Sequence, residues 1–170
     1  MTQKEIFLLQ IQQVHRWTLK LIDGVTDEKW LFTPSIIDSN IHWQVGHLVI
    51  THFYHIIVLL KGPKPGVFGS IPIIDYYPLF SAGSTPKNES KISVGNLKEM
   101  LLKIQDQEIR SIQELEENDF NEPLFPTQFP HPVANTKFEA ICWEIEHTMW
   151  HCGQIAVIKR VVDKRFVFEN

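Results

Sequence analysis

The sequence predicts an all-α fold, a four-helix bundle with long second and third connections, on three observations. Four stretches of about 20 to 27 residues carry helical rather than alternating periodicity. Each is bounded by capping residues or by Gly and Pro. No stretch reads as a strand apart from a short candidate at Phe166-Val167-Phe168. At 170 residues the chain has the usual size of one domain, so residues 1–170 are read as a single domain with its own core.

The first helix runs from about Lys4 to Asp23, with Ile6, Leu9, Trp17 and Leu21 expected on its inner side and Gly24 as its stop. Residues 27–39 form a connection containing Pro34, in which Trp30 and Phe32 are expected to pack down. Asn40 caps the second helix, and Lys61-Gly62-Pro63 ends it, since Pro cannot continue a helix. From Asn40 to Leu60 there is no Asp, Glu, Lys or Arg, approaching the roughly 20 residues that span a bilayer. Gln44, Thr51 and four histidines in that segment make burial in lipid costly, so a buried bundle helix is expected and no membrane partner.

Residues 62–90 hold five prolines, which argues against helix there; Phe68, Tyr76, Tyr77 and Phe80 suggest a lid or packing loop. Ser93 caps the third helix, whose stripe is Val94, Leu97, Leu101, Ile104, Ile112 and Leu115. After a second Pro-rich connection, Thr136-x-x-Glu139 is a capping box opening a fourth helix that runs to about Val162.

Composition narrows the function. The apolar share of 44% with 21% charged residues suits a globular chain. A net charge of −4, with Lys and Arg scattered, gives no reason to bind nucleic acid. The N-terminus lacks the basic, apolar and small-residue series of a secretory signal, so a cytoplasmic location is expected. Cys142 and Cys152 fall on one helix about 15 Å apart, too far for a disulfide.

Chemistry concentrates in the histidines. His147 and His151 lie one turn apart, about 40° around the fourth helix, in the sector of Ala140, Trp143, Ile158 and Val161. Two imidazoles so spaced can reach one ion at about 2.0–2.1 Å. The second helix offers His47, with Gly46 allowing a neighbour to approach closely, and Gln44, Thr51 and Tyr54 in the same polar but uncharged sector. Glu144, one turn before His147, can orient a histidine or act as a base, and Gln154 faces the same interior. Glu108 falls inside the third helix's apolar stripe and must find a partner there. His15, His52, His55 and His131 are read as structural or surface residues.

Trp43-x-x-Gly46-His47-Leu48 and His147-x-x-x-His151-x-Gly153-Gln154-Ile155 resemble the motifs of the DinB/YfiT-like family, and the helix layout resembles it over nearly the whole chain. The resemblance implies a divalent metal ion, zinc or nickel, on His47, His147 and His151, and frequent homodimers. It also implies activities ranging from thiol-dependent S-transfer and isomerisation to metal-dependent hydrolysis of small molecules. Three neutral imidazoles leave a coordination position open, which suits catalysis on a small-molecule substrate, including a low-molecular-weight thiol.

Three alternatives are weighed beside this. A protease of the H-E-x-x-H type is set aside because Thr148 stands where the catalytic glutamate belongs. A ferritin-like di-iron centre needs carboxylates from several helices, and the second helix supplies none. A non-catalytic dimerisation or binding module would use the apolar face Val45, Val49, Phe53, Ile56 and Leu60, through which a homodimer is expected.

Overall fold

Each long helix begins at a residue whose side chain accepts a backbone N–H that the helix cannot satisfy itself. In the computed structural model, which describes residues 1–63 and 72–167, these residues are Thr2, Asn40, Ser93 and Thr136. They open α1 (Gln3–Ile22), α3 (Ile41–Lys61), α5 (Val94–Gln113) and α6 (Lys137–Val162). Two shorter helices, α2 (Asp27–Leu31) and α4 (Ile73–Phe80), lie in the connections. Among the described residues there is no strand, only an isolated bridge between Pro123 and Thr136. Phe166 and Val167 lie outside any strand, and Phe168 falls outside the described residues.

Helices α1 and α3 each pack along both α5 and α6, so the four long helices enclose a common centre. Helix α3 is its axis. It is long and apolar enough to cross a membrane, yet 89% of its most apolar window is buried inside the protein. Val45, Val49, Phe53, Ile56 and Leu60 are all part of that core. The expected dimer face on the second helix is therefore already covered within the chain, and association through it has no apolar area left to bury.

Other expectations are corrected at the same level. Helix α1 buries Phe7, Ile11, Val14, Thr18 and Leu21, while Ile6 and Leu9 face solvent. The true stripe is rotated from the one expected, because the polar positions His15 and Thr18 belong to it. Trp30 is fully buried but Phe32 is exposed, and Val161 of α6 is exposed as well. In the second connection, helix forms at Ile73–Phe80 despite Pro78 inside it. Burial of Tyr76 and Phe80 in the main core outweighs the one hydrogen bond that proline removes. Phe68 lies outside the described residues.

The feature that matters most for the centre is a π-helical stretch, His52–Val58, in the middle of α3. A residue in an i→i+5 turn advances the chain by less than the α-helical step, so side chains beyond it are rotated away from the phase that a 3.6-residue period predicts. Helix α3 ends at Lys61, where Gly62 takes φ +80°, a left-handed conformation that glycine adopts freely.

Candidate metal centre

His47 is placed by its neighbours on both sides. A Cβ on Gly46 would lie 2.2 Å from the Phe80 ring, so the glycine is what lets α4 sit against α3. The carbonyl of the same Phe80 accepts a hydrogen bond from His47 Nδ1 at 2.7 Å. Because a carbonyl only accepts, the proton of His47 is on Nδ1 and Nε2 carries the free lone pair. Trp43, one turn earlier, stacks on the ring at 4.9 Å and 7°.

His151 is held in the same tautomer by a longer relay. Its Nδ1 donates to Gln44 Oε1 in a short contact. The Gln44 amide nitrogen donates to Ser39 Oγ and Gln154 Oε1, each at 2.7 Å, which fixes which end of the amide faces the histidine. Gln154, read from sequence only as facing the interior, thus acts one residue behind the histidine. Thr51 and Tyr54 do not join this set: Thr51 bonds the Leu48 carbonyl, and Tyr54 ties down Thr127 and Phe129 of the third connection.

One ligand atom from each of His47, His147 and His151 lies within 4.8 Å of the other two. His147 Nε2 is 3.0 Å from His151 Nε2; two nitrogens on one tetrahedral zinc stand about 3.4 Å apart for bonds of about 2.0–2.1 Å. The group contains no carboxylate. Burial, reinforced by the neighbouring imidazoles, pushes His47 down to about 4 and His151 down to about 3, so both are neutral, as metal ligands must be. His147 Nδ1 is buried without a hydrogen-bond partner, 3.7 Å from Glu144 Oε1. Placing a cation on Nε2 moves the proton to Nδ1 and gives that orphan atom its partner. The donor set fits a divalent ion.

Glu144 is fully buried behind His147, on the Nδ1 side. Its other neighbours are His55 Nδ1 at 2.9 Å, Thr148 Oγ1 at 3.5 Å and His52 Nδ1 at 3.6 Å. Burial alone would raise its pKa, but the charge of His52, the nearby His147 and the hydrogen bond from His55 outweigh that and hold it well below the usual range. Of the two roles read from sequence, these contacts match the orienting one, since neither oxygen is placed among the free Nε2 atoms.

Four other histidines are also drawn inward. His52 and His15 both face Glu108, which is fully buried; His55 faces Glu144, and its ring lies 4.5 Å from that of His131. The sequence did carry a signal for one of them and for its partner: His52 follows Leu48 and Glu108 follows Ile104 by one turn, each inside an apolar stripe, where a polar group needs a partner. His55 lies in the π stretch, and nothing in the periodicity marks it.

The sequence profile of the DinB superfamily matches residues 10–155. The chain belongs to the DinB superfamily. That span runs from α1 into α6 and includes all three convergent histidines. No curated protein matches the chain. Among solved structures, a crystal structure of a conserved protein of locus from Enterococcus faecalis is similar over 95% of this chain and 98% of that one, with 14% identity and a TM-score of 0.71. At that identity the likeness concerns the DinB-like fold alone.

Proposed function

We propose that this DinB-superfamily chain is a metal-dependent enzyme that transfers a low-molecular-weight thiol to an electrophilic small molecule, using zinc or nickel held by His47, His147 and His151. The observation that carries the reading is the set of three buried imidazoles, two locked with Nε2 free, with no carboxylate among the convergent ligand atoms. A divalent ion bound there keeps its full charge and lowers the pKa of a thiol or water on its open position.

The chain's residues do the rest. Phe80 and Gln44 fix the tautomers of His47 and His151, Glu144 orients His147, and Trp43 and Trp143 stack on ligand rings and screen them from water. In the transfer, sulfur bonds to the electrophilic carbon, the leaving group departs with its electron pair, and the thiol proton passes to solvent. Hydrolysis uses the same residues with water as the nucleophile. The lack of a carboxylate in the histidine group to take water's proton favours the thiol, whose own acidity suffices once its pKa is lowered.

The test is consumption of thiol and of activated esters by the metal-loaded protein beside His151→Ala. Thiol consumption that disappears in His151→Ala and after chelation supports S-transfer. Ester cleavage alone, with the same metal dependence, replaces it with the hydrolase. If neither substrate is turned over, the non-catalytic binding module takes the place of both.

A further inference from the structure

The centre of the bundle holds a second group of ligands, distinct from the three histidines. His15 of α1, His52 of α3, Glu108 of α5 and Glu144 of α6 meet there, and both carboxylates are 0% exposed. A charge at that depth needs matched positive charge and hydrogen bonds to every lone pair. Glu108 has them at one oxygen only. One oxygen, Oε2, is approached by His15 Nε2 at 2.8 Å and by His52 Nδ1 at 2.5 Å, while Oε1 has no partner. His52 makes no hydrogen bond through either nitrogen, so its close approach to Oε2 lacks the direction of one. One ligand atom from each of His15, His52 and Glu108 lies within 4.8 Å of the other two.

We propose that His15, His52 and Glu108 hold a second divalent cation, which fastens α1, α3 and α5 together in the interior. Two imidazole nitrogens and a carboxylate are a donor set that zinc, iron(II) and cobalt(II) accept. The ion supplies what the group lacks, a directed partner for His52 Nδ1 and for the unpartnered Glu108 Oε1. It takes the place of a proton, because a coordinating imidazole nitrogen must be unprotonated. All three ligands are buried, His15 being 5% exposed and the others 0%, so the ion is structural and meets no substrate. Glu144 stands between the two groups, 3.6 Å from His52 Nδ1 and 3.7 Å from His147 Nδ1.

The experiment is metal stoichiometry by elemental analysis of full-length protein, produced with zinc in the growth medium and purified without a histidine tag or chelating resin. The native chain is expected to carry two equivalents, Glu108→Gln one, and the double variant His47→Ala/His151→Ala one, since the latter removes only the three-histidine group. Should Glu108→Gln fail to fold, His15→Gln replaces it, with the same expected loss of one equivalent. A native chain without metal, an equivalent count that Glu108→Gln or His15→Gln leaves unchanged, or none in the double variant, overturns the proposal. The double variant also separates the two sites: its remaining equivalent belongs to the interior ion whatever becomes of the S-transfer reading.

Discussion

At the scale of single residues, the centre works through hydrogen bonds that decide which imidazole nitrogen is free. His47 and His151 owe a free Nε2 to Phe80 and Gln44, while Glu144 Oε1 stands 3.7 Å from His147 Nδ1, placed to accept its proton once a cation takes Nε2. Glu144→Gln keeps the shape of the side chain and removes its charge, so it leaves the ligands in place but poorly oriented. Zinc affinity, measured by competition with a chromophoric chelator, is expected to fall about 10- to 100-fold, the usual effect of losing a ligand's hydrogen-bond partner. Affinity within twofold of the native value would show that Glu144 does not orient His147. Gln44→Leu removes the acceptor from His151 and is expected to weaken zinc binding in the same range; in its case unchanged affinity would mean that the Gln44–Gln154 relay is incidental.

At the scale of elements, the contact between α4 and Gly46 joins fold to site, because one residue, Phe80, supplies both the ring on the glycine and the carbonyl on His47. In Gly46→Ala the added methyl meets that ring, which must move and take its carbonyl with it. Overpacking of this kind costs about 1–3 kcal/mol. Urea denaturation is expected to show that loss together with weaker zinc binding; loss of stability with full affinity would uncouple α4 from the site. This junction was only half legible. Gly46 announced a close approach, but the partner lies in a segment whose prolines argued against helix, and burial of Tyr76 and Phe80 was not visible from composition. The long helices were legible because their caps and stripes are local features, as Thr136 with Glu139 shows. Part of the three-histidine group was legible because His147 and His151 repeat at one turn. The π stretch was not, and with it went the inward turn of His55.

At the scale of the whole molecule, the buried ionisable groups set the pH range of stability of the metal-free protein. His47 and His151 titrate at about 4 and about 3 in the fold, below the ordinary 6.5. As pH falls below 6.5 the unfolded chain takes up protons that the folded chain refuses, so stability declines toward pH 3. Glu108 and Glu144, also lowered, steepen the acid limb below their ordinary 4.5. His52 has the opposite sign: burial pulls it down, but the two carboxylates outweigh burial and raise it to about 9. Its contribution is complete below 6.5 and is lost as pH rises through about 9. Urea unfolding of chelator-treated protein should therefore be most favourable to the fold near pH 6.5, with losses on both sides; a flat profile from pH 3 to 9 would contradict this electrostatic account.

The second and fourth long helices bring three imidazoles within reach of one cation. A crystal grown with zinc, with anomalous differences recorded on both sides of the zinc absorption edge, tests this directly. The expected result is an anomalous peak bonded to Nε2 of His47, His147 and His151 at about 2.0–2.1 Å. A zinc-soaked crystal with no peak among those three rings, or with the rings turned apart, would contradict it.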